Sequence, residues 1–164
     1  MKRLLPFILV FLLALPGIAS AGVDNEDVPD IQMAVKVIDT DPKGTNVRSS
    51  PKGKIVHTIP FDAADDSDRV VWVVGQDKDW FKVELEDGTA GWMHTSVLGL
   101  RGGAAEDGPC PLLSAADDNA KVIVTPKDGA TLQLLDVMTP HWVKVRYIIS
   151  KGKYHDGWMP EQCQ

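Results

Sequence analysis

Cys110 and Cys163 are the two thiols of this sequence, His57, His94, His141 and His155 are its imidazoles, and Asp62, Asp65, Asp66 and Asp68 crowd into one short run. Each set points to a different chemistry. A Cys–His hydrolase needs a free thiol beside a His that a third group orients. Cys163 stands one residue from the last, a poor place to hold a nucleophile rigidly. The histidines are scattered, and no pair has the helical spacing of a zinc site. Oxygen ligands at short spacing suit a hard cation. The aspartates, however, lack the residue order and the turn glycine of a calcium-binding helix-loop-helix, and the run reads as a solvated loop. There is no Gly-x-Ser-x-Gly, no glycine-rich phosphate loop and no paired acid/base site. On these residues the expectation is no metal, no cofactor and no enzyme.

Five tryptophans offer another chemistry, since a flat ring gives a large contact area for a sugar or peptide at small entropic cost. Trp80 and Trp142 alternate with Phe81 and Val143, which places them on the outer side of their strands and makes them ligand-binding candidates. Trp92 and Trp158 each follow a glycine, where close backbone approach favours packing, and with His94 and Pro160 they complete the set of ligand-binding candidates. Trp72, between Val71 and Val73, also reads as packed.

The ends of the sequence bound where such chemistry would act. Lys2-Arg3, the apolar run from Leu4 to Leu15, and the small residues Ala19-Ser20-Ala21 form the three regions of a secretory signal peptide over residues 1–21. Its apolar run, broken by Pro6 and Pro16, is short for a membrane span, so no stable membrane insertion is expected after cleavage. Losing Lys2 and Arg3 lowers Lys plus Arg from 17 to 15 against 23 acids, a formal charge of −8. An acidic chain lacks the cationic field that nucleic acid requires, so no nucleic-acid partner is expected. Export implies an oxidising compartment, periplasm or secreted, where an even pair of cysteines argues for a Cys110–Cys163 disulfide over two free catalytic thiols.

The elements that must position these residues are strands. Residues 22–30 carry four acids and little to bury, and read as a flexible leader. Ile31 to Ile38 alternates Ile31, Met33, Val35 and Val37 with Gln32, Ala34 and Lys36, as a half-buried strand does. Short strands follow at Thr45 to Arg48, Lys54 to Ile59 and Val70 to Val74. Trp80 to Leu85 then turns at Asp87-Gly88 into a strand through Trp92, and Thr95-Ser96 suggests a short helical turn. Residues 101–109 hold several glycines and a proline, a linker composition. Strand signals resume at Leu112-Leu113, Lys121 to Thr125, Ala130 to Val137, Trp142 to Ile149 and Gly157 to Met159, with the last hairpin's loop lengthened by Ser150 to Gly157. The segment "DWFKVELEDGTAGW" thus returns as "HWVKVRYIISKGKYHDGW". The expected fold is all-β, two tandem small antiparallel barrels at 31–100 and 110–164.

"TNVRSSPKGKIVHTIP" and "VVGQDKDWFKVELEDGTAGWMHTSVLGL", together with "HWVKV" and "DGWMPEQC", resemble the bacterial SH3-like family of exported and cell-envelope proteins. The resemblance implies a docking module often joined to cell-wall hydrolases. In peptide-binding relatives an aromatic on the first hairpin strand and a Pro-x-x-Tyr after the closing glycine form a groove for proline-rich ligands. Trp80 and Trp142 match the aromatic and Pro160 the proline, while His94, Val97 and Cys163 depart from the pattern. The function expected on this basis is a non-catalytic binding or scaffolding module of the envelope, with peptidoglycan or a periplasmic protein as partner. The alternative is a structural accessory subunit with no small-ligand groove, and a Cys-dependent hydrolase comes third.

Overall fold

The computed structural model describes residues 31–64, 69–105, 108–138, 142–160 and 163. The expected signal segment and leader, with Asp65, Asp66, Asp68 and His141, lie outside the described residues. The strands are β1 (Met33–Val37), β2 (Thr45–Arg48), β3 (Ile55–Ile59), β4 (Val70–Asp77), β5 (Trp80–Glu84), β6 (Ala90–His94), β7 (Leu98–Arg101), β8 (Ala104–Ala105), β9 (Gly108–Pro109), β10 (Leu112–Leu113), β11 (Val122–Val124), β12 (Thr131–Met138), β13 (Trp142–Ser150) and β14 (Lys153–Pro160). A 3-10 turn at Thr95–Val97 stands between β6 and β7, where the helical turn was expected.

Twelve strands form one antiparallel sheet in the order β11-β10-β14-β13-β12-β7-β1-β4-β5-β6-β2-β3, while β8 and β9 pair separately. The large sheet ends at β11 and β3 and does not close on itself. This overturns the expected fold, two tandem SH3-like barrels, and with it the SH3-like resemblance and the tandem-repeat description. The reason lies in β7. One of its edges pairs with β1, Gly99 opposite Lys36 and Leu98 opposite Val37. The other takes up β12, with Arg101, Leu100 and Gly99 opposite Thr131, Leu132 and Gln133. A side chain at Gly99 would prevent this, because its Cβ would fall 2.5 Å from the Leu132 carbonyl oxygen. The buried apolar cluster is correspondingly continuous, from Val35, Val37, Val71, Val73, Phe81 and Val83 through Leu98 and Leu100 to Leu132, Leu134, Val143, Val145 and Met159.

Period-two alternation explains which side chains enter that cluster. Phe81 and Val83 are fully buried while Lys82 and Glu84 are exposed. The same rule corrects the reading of Trp72: Val71 and Val73 point inward, so the ring between them points out and is 48% exposed. In β12 the inward positions run Leu132, Leu134 and then Val137, a change of phase produced by the bulge between Leu134 and Asp136. A bulge occupies the matching place in β4, between Val73 and Gly75.

The first hairpin turns as its sequence indicates. Gly88 has φ 82, its N–H donates to the Leu85 carbonyl at 2.9 Å, and Asp87 accepts from the Thr89 N–H at 2.8 Å. That hydrogen bond from Thr89 holds the exposed Asp87 carboxyl below its ordinary pKa. The second hairpin differs from expectation. Its strands continue to Ser150 and Lys153, so the reversal is only Lys151 and Gly152, with Gly152 at φ 76. What reads in sequence as a long loop is a pair of long strands.

Candidate functional site

Cross-strand register gathers the sequence-derived candidates into two ladders. On the first hairpin Trp80 lies opposite His94 and Lys82 opposite Trp92. Residues two apart on a strand share a face, so Trp80, Lys82, Trp92 and His94 belong to one surface. The Trp80 and His94 rings meet edge to face, their centroids 5.2 Å apart and planes at 77°. His94 is fixed from its other side: its Nδ1 lies 2.9 Å from Ser96 Oγ and accepts from the Ser96 N–H at 3.2 Å, capping the 3-10 turn. Trp92 also lies opposite Arg48 of β2.

The second hairpin repeats this arrangement with one change. Trp142 lies opposite Pro160, Lys144 opposite Trp158, and Arg146 opposite Asp156. Lys144 Nζ sits 5.7 Å from the centre of the Trp158 ring, a cation–π contact. Pro160 is buried, and Trp142 and Trp158 are half-buried. Gly91 and Gly157 occupy equivalent places just before Trp92 and Trp158. A Cβ at Gly91 would lie 2.8 Å from the Arg48 carbonyl oxygen, and one at Gly157 would lie 2.7 Å from Leu112 Cβ. These close approaches let β2 and β10 run against the hairpins.

The third rung of this second ladder is absent from the sequence reading. Arg146 donates from Nε and Nη2 to the two carboxylate oxygens of Asp156 at 2.7 and 2.8 Å. Its guanidinium carbon also lies 4.0 Å from the centre of the Tyr154 ring. The hydrogen bonds from Arg146 hold the Asp156 carboxyl below its ordinary value, and those same bonds raise the Arg146 pKa. Arg146 could have been found by stepping two residues from Lys144 along the same face. Gln76 is a further omission: its Oε1 accepts from the Val137 N–H at 3.1 Å, tying the end of β4 to the end of β12. No local pattern marks that long-range bond.

Cys110 and Cys163 form the expected disulfide, with Cα atoms 5.7 Å apart. Both are buried, and neither cysteine of the chain is free. The ladders therefore offer aromatic faces and cations, and the cysteines offer no thiolate in the oxidised protein. Among the described residues no group of three or more His, Cys, Asp or Glu is arranged to hold a metal, and no helix is long and apolar enough to cross a membrane.

No family model matches the chain, and no curated protein matches it. Among solved structures it is similar to NlpC2 from Trichomonas vaginalis at 12% identity and a TM-score of 0.31, covering 82% of this chain and 48% of that one. It is similar to NlpC1 from the same organism at 12% identity and a TM-score of 0.33, covering 90% and 50% respectively. The chain thus spans about half the length of each, and scores at that level do not establish a shared fold. The expectations of a non-catalytic binding or scaffolding module, and of a chain that is not an enzyme, were drawn from the two-barrel resemblance. They fall with it, because a single continuous sheet removes their basis.

Proposed function

We propose that the chain serves outside the cytoplasm as an accessory subunit of an envelope assembly associated with peptidoglycan. The observation that carries this reading is the pair of outer strands. β3 and β11 end the sheet, and each presents large apolar side chains to solvent: Ile55 and Val56 on one, Val122 and Ile123 on the other. Edge strands that face water alone are usually blunted by charge or proline, because their free N–H and C=O groups recruit another strand. The buried disulfide suits an oxidising compartment. Cell fractionation followed by sedimentation with purified sacculi, with and without the other envelope proteins, tests the proposal. Recovery with the envelope only when partner proteins are present is expected, and loss of that recovery in Val56→Lys and Ile123→Lys. Retention in the cytoplasm, or identical behaviour of the variants, would refute it.

The Cys-dependent hydrolase reading has one structural requirement. The nucleophile is a thiolate, and both sulfurs are joined, so catalysis would first need reduction of Cys110–Cys163. Cleavage of peptidoglycan stem peptides that appears only with reductant, and disappears in Cys110→Ser, would establish that reading in place of the accessory one.

A further inference from the structure

Beyond Ile148 the β13–β14 hairpin runs past the end of its neighbour. Leu132 lies opposite Tyr147, so Thr131, the first residue of β12, is level with Ile148, and no β12 residue reaches Ile149 or Ser150. On the other side β10 reaches β14 only through Leu113, opposite Trp158. The tip is held by its own pairs, Ile148 with Tyr154 and Ser150 with Lys153. Ile148 is 53% exposed, Ile149 52% and Tyr154 52%, and a bulge between Ile148 and Ser150 suspends strict alternation there. The tip therefore presents three large apolar side chains to solvent.

Its charge is of one sign. Between Asp136 and Asp156 the sequence has no carboxylate but holds Lys144, Arg146, Lys151 and Lys153, in a chain of formal charge −6. Arg146 is matched by Asp156 and braces the Tyr154 ring from below, while Lys151 and Lys153 stand exposed at the tip. Aromatic and aliphatic side chains flanked by lysines fit the boundary between headgroups and acyl chains.

We infer that this tip docks reversibly on an anionic lipid surface. Ile148, Ile149 and Tyr154 enter the boundary layer, and Lys151 and Lys153 meet lipid phosphates. This is peripheral attachment, and no helix among the described residues is long and apolar enough to span the bilayer. The test is sedimentation of the chain beginning at Gly22 with vesicles of phosphatidylglycerol and phosphatidylethanolamine, against vesicles of phosphatidylcholine. Binding to the anionic vesicles alone is expected, weakened about fivefold by each of Lys151→Gln and Lys153→Gln. Ile148→Ser with Ile149→Ser should abolish it, whereas Ile55→Ser with Val56→Ser, an exposed apolar pair elsewhere, should leave it unchanged. Circular dichroism confirms that each variant is folded. Equal binding to both vesicle types, no binding to either, or equal losses from both serine pairs would overturn the inference. So would capture that needs protein in the membrane, which would assign the tip to a protein partner.

Discussion

Reduction of Cys110–Cys163 should lower the melting temperature by about 8–16 °C. The bridge joins residues 53 apart in sequence, and closing a loop of that size removes denatured-state entropy worth about 4 kcal/mol. A change of 1 kcal/mol displaces the midpoint by about 2–4 °C when some 150 residues unfold together, and by about 4–8 °C when a unit of under 100 residues unfolds alone. The sheet and its core run without a break from one end to the other, so the smaller displacement applies. Differential scanning calorimetry of oxidised and reduced protein should show one transition in each state. Denaturant titration supplies an independent check, since the uncrosslinked unfolded chain exposes more surface and should give a larger m-value. A midpoint that moves by less than about 2 °C would contradict the loop-entropy argument. Two transitions, of which one moves, would refute cooperative unfolding of the sheet.

Gly157→Ala should destabilise the protein by about 1–3 kcal/mol, because its Cβ would press on Leu112 Cβ and the Leu113 carbonyl oxygen, neither of which can swing away; urea unfolding measures it. Asp156→Asn should cost about 1 kcal/mol at neutral pH, a value discounted for the partial exposure of the Arg146 pair. Because the Asp156 carboxyl is lowered in the folded state, its contribution is complete above its ordinary value of 3.8 and disappears as pH falls through the lower folded value, so wild type and variant should converge in acid. Val73→Ala should cost about 2 kcal/mol while Trp72→Ala costs less than about 1, despite the larger side chain, since only Val73 is enclosed; paired thermal melts decide the order.

Strand positions were legible wherever side chains alternate. Val35 and Val37, Phe81 and Val83, and Val143 and Val145 all enter the core as their spacing indicates. Trp72 shows what happens when residue type is weighed above phase, since the same alternation that buries Val71 and Val73 turns it outward. The long second hairpin was obscured by Ser150 to Gly157, whose polar residues and glycines resemble a loop although cross-strand pairing carries them as strand. The architecture was least visible. Nothing in "LGLR" announces that both edges of β7 are used, because a sequence displays which residues favour a strand and not how many neighbours that strand will have. For the candidate residues, period two turned Trp80 and Trp142 to the outer side of their strands, but their partners His94 and Pro160 are set by hairpin register, and nothing signalled the Gln76 bond to Val137, which joins positions 61 apart.

The double use of β7 gives assembly a direction. A ribosome delivers the chain from its N-terminus, so β1 through β7 can pair while β12 is still unmade. The free edge of β7 then waits as a template, and Gly99 keeps it clear for the Leu132 carbonyl. During that interval the same edge is open to strands of other chains. A circular permutant beginning at Cys110 would preserve each native strand pair but deliver β12 before its template. Its yield of folded monomer, compared with that of the natural order, would measure how much the timetable of synthesis protects this joint.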